Sequence, residues 1–295
     1  MVVMAGVLAS SRPRPLSSPT RVVSPVAQVD SADPGILAAL HDAIGQYAKH
    51  ERASMILLKD FPSKHRGPLT VFSQSTYARV PSMPGGRFEM DFTSFDDYMQ
   101  RKLGKVFRKN LRRKFKDAAA LAQVTMEVVT DVTPFVDEIL PLYLQTYERS
   151  QYRFECLTKE YFCEMGRRMP ESVRYFLWRQ EGRLIAFALG LAHGDTFYDM
   201  NVGMDYTVAL DMHLYFLTFR DIIQWAVENG LKKYITGPLN YDPKLHLRLD
   251  LDPLDLYVRH TSPLIHPFMK IALKYLQPAR HDPAIQQFDN VKELY

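Results

Sequence analysis

The sequence predicts an α/β fold, and three observations carry that reading. Three strand-like segments, SVRYFLWRQ, LIAFALGLAH and TFYDMNV, follow one another in hairpin succession through the turns EGR and GD. A helical stretch from Ala209 to Glu228 comes directly after them and stops at Asn229-Gly230, a pair that ends helices. The chain has 295 residues, 46% hydrophobic and 24% charged, enough to bury one sizeable core or two small ones.

Taken in order, residues 1–29 are rich in Ser, Pro and Arg and hold no acid before Asp30, so they are expected to be a disordered leader. An organellar transit peptide shares that composition. Residues 30–94 are expected to form a small, partial α/β unit. There Asp33-Pro34 reads as an N-cap followed by proline at the first helical position. Ile36, Leu37, Leu40, Ile44 and Tyr47 then recur at helical spacing. SMILLKDF reads as a buried strand, Pro68 to Ser75 as a helical turn, Tyr77 to Val80 as a short strand, and Arg87 to Phe92 as an alternating strand behind a Pro-Gly-Gly turn.

Residues 95–122, capped by Asp96 or Asp97, read as one long connecting helix with Leu103, Phe107, Leu111 and Phe115 on one stripe. Between Arg101 and Lys116 lie nine Lys and Arg and no acid. Residues 123–282 are expected to be the main domain. It would run as a strand (Val124 to Thr130), two helices (Pro134 to Arg149, Thr158 to Arg168), the three hairpin strands and the long helix. Strand LKKYITG, a loop and short helix PLNYDPKLHLRL, strand DLYVRHT and a helix from Pro267 to Leu276 follow. Residues 283–295 read as a polar tail.

Composition excludes several classes. The longest apolar runs, such as Leu184 to Ala192, are too short to cross a bilayer, so no transmembrane segment is expected and the location is expected to be cytoplasmic. Cys156 and Cys163 have neither zinc spacing nor the numbers for a disulfide framework, and they read as reduced thiols with no metal site. The signatures of P-loop nucleotide hydrolysis, dinucleotide binding, zincin proteolysis and serine hydrolysis are all missing. The net charge of +4 is mild, but its clustering in residues 101–116 is not.

The order β-α-α-β-β-β-α-β-α-β, the segment ILLKDFP, the turns E-G-R and H-G-D, and WAVENGLKKYITGP resemble the Fem-type branch of the GNAT acyltransferase superfamily. In that branch two GNAT-like units sit in tandem, and the transferases are of the kind found in peptidoglycan biosynthesis. The resemblance covers roughly Asp30 to Asp282 and is strongest over Phe95 to Arg259. It implies a GNAT-like fold with a complete C-terminal unit and a truncated N-terminal one. Ordinary GNAT enzymes bind the pyrophosphate of acetyl-CoA in a glycine-rich turn after the fourth strand, on backbone N–H groups at a helix N-terminus. Here that turn reads VGMDYTVALDMH, with a single glycine and with Asp205 and Asp211 where a diphosphate would rest. Fem-type members also lack that loop, and some take an aminoacyl group from aminoacyl-tRNA.

Candidate residues follow from the resemblance and from what amide-forming acyl transfer needs: a base for the amine proton and a group to hold the oxyanion. Strict strand alternation places Asp199, Asn201 and Gly203 on one face, with Tyr198, Met200 and Val202 on the other. Asp199 and Asn201 are candidates for contact with the acceptor, and Asp199 or His213 for the proton. Asp211 and Tyr215 lie nearby, although Asp211 could serve only the helix dipole. Asn240, Tyr241, Lys244 and His246 stand where Fem-type proteins place a pocket lysine. Tyr152, Arg153 and Glu155 lie in the loop that covers the acceptor site in GNAT folds. Arg108, Arg112 and Arg113 form either a track for a polyanion such as tRNA or a solvated face.

The resemblance thus implies an N-acyl- or aminoacyltransferase. A small-molecule or peptide amine would attack an activated donor, acyl-CoA or aminoacyl-tRNA, which binds as co-substrate with no tightly bound cofactor. A non-catalytic GNAT-like protein that holds RNA or another anionic partner on the basic helix is the rival reading. The sequence leaves the oligomeric state open, a homodimer included.

Overall fold

A computed structural model of the chain describes residues 2–9, 21–23, 26–28, 33–70, 72, 76–150, 153 and 156–295. The chain divides into two compact units, one of Met1–Gly85 with Leu251–Tyr295 and one of Gly86–Asp250.

The first unit begins with strands β1 (Val2–Ala9), β2 (Arg21–Val23) and β3 (Val26–Gln28), then helix α1 (Pro34–His50) and strands β4 (Met55–Pro62) and β5 (Ala78–Pro81). The expected disordered leader, residues 1–29, includes β1, β2 and β3 and otherwise lies outside the described residues. VVMAGVLA is an apolar run suited to extended pairing, and it joins β4 in antiparallel register from Met4 opposite Lys59 to Leu8 opposite Met55. Asp33 caps α1 as expected, its Oδ1 accepting from the N–H of Gly35 at 2.7 Å. The helix buries Leu37, Ile44 and Ala48 against Ile56 and Leu58 of β4.

The second unit opens with β6 (Gly85–Glu89), followed by α2 (Phe95–Lys102) and α3 (Lys105–Leu121). The single basic helix expected over 95–122 is thus two. Leu103 adopts an extended conformation, Gly104 becomes the N-cap of the second, and Ser94 rather than an aspartate caps the first through Asp97 N–H. Next come β7 (Val124–Val129), α4 (Val136–Arg149), α5 (Lys159–Arg168), β8 (Val173–Gln180), β9 (Arg183–His193), β10 (Thr196–Met204), α6 (Leu214–Glu228), β11 (Lys233–Thr236) and α7 (Tyr241–His246). The sheet order is β6-β11-β10-β9-β8-β7. Neighbours are antiparallel except β10 and β11, which run parallel. One face carries α6 and the largest cluster, with Phe176, Trp178, Phe197, Phe219 and Ile223. The other packs α4 and α5 through Ile139, Tyr143 and Phe162 against Tyr175, Phe187 and Leu189.

Short strand β12 (Asp250–Asp252) stands at the boundary, and β13 (Leu254–His260), α8 (His266–Tyr275) and α9 (Pro278–His281) return to the first unit. That sheet reads β2-β1-β4-β13-β5, with β3 also on β1. The expected boundaries at residues 94/95 and 282/283 do not fall there. DLYVRHT pairs with β4 and β5 instead of extending the main sheet, while the Arg87 strand pairs with β11 and belongs to the second unit. Strand spacing alone does not say which sheet a strand joins. The two ladders hold β13 there, and a carboxylate adds to them: Asp255, fully buried, accepts from Arg66 Nε at 2.6 Å and Arg79 Nη1 at 2.8 Å.

Candidate active site in the parted strands of the second unit

Strands β10 and β11 pair only from Thr196 opposite Lys233 to Asp199 opposite Thr236, after which β11 ends and β10 continues to Met204. Where they part lies a cavity of about 150 Å³. Asp199 to Val202 line it from β10, Thr236 to Asn240 from the end of β11, and Tyr215, Thr218, Phe219 and Ile222 from α6, with Lys244 of α7 closing it.

The strand is not regular at this point. The register of β10 against β9 slips between Asp199 and Asn201, leaving Met200 as a bulge. The alternation expected from sequence therefore breaks. Val202 and Met204 share the α6-side cluster with Phe197, and Gly203 turns to the other face. A Cβ on Gly203 would sit 2.6 Å from Tyr143 N and 2.7 Å from Leu142 C, so only glycine lets α4 approach so closely.

Asp199 is half-buried beside the cavity. Burial pushes its carboxyl up from 3.8 to about 6, partly opposed by the hydrogen bond from Tyr234 and by the positive charge of Lys244. Tyr234 OH donates to Oδ2 at 2.6 Å. Among the described residues Oδ1 accepts no hydrogen bond. Lys244 is only 4% exposed. Burial lowers its ammonium to about 8, with Asp199 pulling the other way. Its Nζ donates to the carbonyls of Gly237 and Leu239, the latter at 2.7 Å, and stands 5.4 Å from the Tyr241 ring centroid. Leu239 and Asn240 both have positive φ (73° and 55°), a conformation a leucine rarely adopts and one that turns the Leu239 carbonyl onto the ammonium. Gly86 leaves room for the lysine stem, since a Cβ there would lie 3.2 Å from Lys244 Cδ. The Tyr215 phenol, raised by burial and by the Asp199 charge, stays protonated at neutral pH.

Of the residues expected from sequence, Asp199, Asn201, Tyr215, Asn240 and Lys244 meet in this cavity. Tyr241 lies behind Lys244 as a buried ring. His213, Asp211, His246 and Arg153 do not line it. His213 begins α6 with φ 51°, its Nδ1 3.5 Å from Lys114 Nζ, and burial and that lysine lower its pKa. His246 is exposed and bonded through Nδ1 to Asp242 O at 2.8 Å. Arg153 donates to Glu148 O, and Asp211 is exposed. Tyr152 and Glu155 lie outside the described residues. Sequence reasoning missed Tyr234, Thr218 and Thr236. Tyr234 had one signal, a tyrosine inside an otherwise ordinary core strand.

The turn after β10 is closed upon itself. The N–H groups of Val208, Ala209, Met212, His213 and Leu214 all donate to carbonyls between Asp205 and Leu210. Asp205, expected as free charge at a diphosphate position, is instead a buried brace. It accepts from Arg183 Nη1 at 2.7 Å and from the Thr207 N–H and hydroxyl. On α3, Arg108 donates to the carbonyl of Gln100 at 3.1 Å, while Arg112 and Arg113 are exposed. Among the described residues no acid pairs with Lys105, Lys109, Arg112, Arg113 or Lys116, which leaves a cationic stripe. Among the same residues no cluster of His, Cys, Asp and Glu could hold a metal ion, and no helix is long and apolar enough to cross a membrane.

Residues 105–244 match the family described as Acetyltransferase (GNAT) domain. Its fold is similar to that of L-PGS from Bacillus licheniformis (12% identity, 85% of this chain and 80% of that one, TM-score 0.57). The structure of FemX is likewise similar (12% identity, 91% and 90%, TM-score 0.57). So is the C-terminal domain of a proposed lysylphosphatidylglycerol synthetase from Agrobacterium fabrum (14% identity, 79% and 75%, TM-score 0.52). At 12–14% identity these likenesses are of the fold. No curated protein matches the chain.

Proposed function

We propose that the protein is an N-aminoacyl- or N-acyltransferase whose amine acceptor attacks the donor carbonyl directly in the cavity between β10 and β11. One observation carries the reading: a carboxyl with a pKa of about 6 and a free oxygen at the fork of the parted strands. A base works best with a pKa near the working pH, and Asp199 is ionised at neutral pH yet still able to take a proton. A cavity of the order of 150 Å³ takes a benzene-sized ligand, so a short acyl or aminoacyl group fits inside while the bulk of the donor stays out.

In this scheme the amine nitrogen forms the new C–N bond and its proton passes to Asp199. The Asn201 amide faces the developing oxyanion. As the donor C–O or C–S bond breaks, the leaving atom takes a proton from the Tyr215 phenol. Lys244 keeps Asp199 ionised and fixes the Gly237–Asn240 turn. No covalent enzyme intermediate is needed.

For the donor we favour aminoacyl-tRNA over acyl-CoA. The internally bonded turn after β10 offers few N–H groups to a diphosphate, and the stripe of Lys105, Lys109, Arg112, Arg113 and Lys116 suits a polyanion. That stripe also supports the second reading, a non-catalytic holder of RNA. Calorimetry with acetyl-CoA, a longer acyl-CoA and charged and uncharged tRNA at two salt concentrations tests the donor. Salt-steep binding that tightens on aminoacylation is expected. Tight, salt-insensitive CoA binding would move the donor to acyl-CoA, and equal affinity for both tRNA forms without turnover would favour the holder.

A further inference from the structure

Helix α8 of the first unit is apolar on two sides. Its inner side, Met269 and Leu273, packs on Ala78 and Val80 of β5 and its flank and on Val258 of β13. Among the described residues its outer side is uncovered. Leu264, Ile265, Phe268, Ile271, Tyr275 and Leu276 are between 51% and 79% exposed. Phe268, Ile271 and Tyr275 stand at successive helical turns, so the exposed residues form one arc. Soluble proteins seldom present six large apolar side chains together, and such a patch marks a surface that something covers.

Charge says what covers it. Lys270 and Lys274, both exposed, run along one border of the arc. From Leu256 to His281 there is no Asp or Glu, while Arg259, Lys270, Lys274 and Arg280 fall within that span. A second copy of the chain laid on this face by a two-fold axis would bring the two lysine rows together with no acid in the segment to pair them. A bilayer surface has no such difficulty. The helix lies along its own sheet, so the arc runs in the plane of the protein surface, as a helix lying in a lipid interface requires. Apolar rings and branches would enter the acyl boundary while the lysines meet anionic headgroups.

We propose that α8, with Leu264, Ile265 and Leu276 at its ends, docks the protein onto the surface of an anionic lipid bilayer without crossing it. The inference is independent of the reaction carried out in the second unit.

The test is flotation of the full chain with vesicles of phosphatidylcholine, with and without one-third phosphatidylglycerol. Phe268→Trp adds a fluorescence readout of insertion. The protein should float with the anionic vesicles only, more weakly at high salt, and the Trp emission should shift to the blue. Phe268→Ser with Ile271→Ser, and separately Lys270→Glu with Lys274→Glu, should each lower bound protein roughly tenfold with the melting temperature unchanged. These side chains are exposed, so neither pair removes core packing. Three results would overturn the proposal: no flotation with either vesicle, flotation lost only in Arg112→Glu with Arg113→Glu, or a solution dimer that Phe268→Ser with Ile271→Ser dissociates.

Discussion

Asp199→Asn is the substitution that separates the work of the site from the stability of the fold. Burial lifts this carboxyl from 3.8 to about 6, so the folded protein holds a proton there more tightly than the unfolded chain does. Between those two values stability must therefore fall as pH rises, and above about 6 the whole cost is present. Its size is about 3 kcal/mol, from the shift alone. The amide removes that cost but also removes the negative charge beside the buried Lys244 ammonium, which offsets part of the gain. A net stabilisation of about 1–2 kcal/mol is expected near neutral pH, or a rise of roughly 2–8 °C in melting temperature. Turnover should move the other way, falling by about 10²–10⁴ as expected for a lost base. Guanidinium unfolding at about pH 5 and about pH 7.5, with an amide-formation assay on the same preparations, reads both. The acid arm should show little difference between the proteins and the neutral arm a clear one. A variant that unfolds more easily than the parent at both pH values, with turnover intact, would refute the reasoning and make Asp199 a structural acid.

Other expectations come from the same geometry. Turnover against pH should be bell-shaped, rising near 6 and falling near 8, with both values belonging to the coupled Asp199–Lys244 pair. A profile flat from about pH 5 to 9 would remove the pair from the mechanism. Because burial depresses the Lys244 ammonium, stability should increase with pH between about 8 and 10.5, and Lys244→Met should abolish that increase in alkaline unfolding curves. Gly203→Ala forces a Cβ into the α4 backbone and should cost about 3 kcal/mol or more, seen as a melting temperature lower by at least roughly 6 °C. Asp255→Ala strips the buried acceptor from Arg66 and Arg79 and should cost about 3–5 kcal/mol by the same measurement. Arg112→Glu should weaken polyanion binding at all sequences and reduce the salt slope by about one.

Much of the fold was legible because hairpin strands, a capped helix and short turns are local patterns. Glu181-Gly182 and Gly194 do sit at positive φ, as the two turns require. What was not legible was long-range or conformational. The sequence DLYVRHT looks like any half-buried strand, and its ladders with β4 and β5, with the Asp255 pairing to Arg66 and Arg79, assign it to the first sheet only in space. The bulge at Met200 has no residue signature, yet it decides which side chains of β10 share a face. Asp199 and Lys244 were readable as polar groups at the ends of core segments. Tyr234 was not, because its partner stands on a neighbouring parallel strand far away in sequence. His213 and His246 fit the chemistry by type, but a left-handed residue at the start of α6 and an exposed turn of α7 keep them out of the cavity.

The first unit is cut in two by the second along the chain, and this bears on how the protein is made. Strand β13 lies between β4 and β5, so two edges of that sheet stay open until residues 254–260 leave the ribosome. By then every strand of the β6-to-β7 sheet has already been synthesised, and domains fold in order of emergence. Chains truncated before Leu254 and released from the ribosome should therefore resist protease over 86–250 and be digested over 33–85. A stop mutation just after Asp250 would leave the second unit formed and the strands of the first as an open, aggregation-prone template.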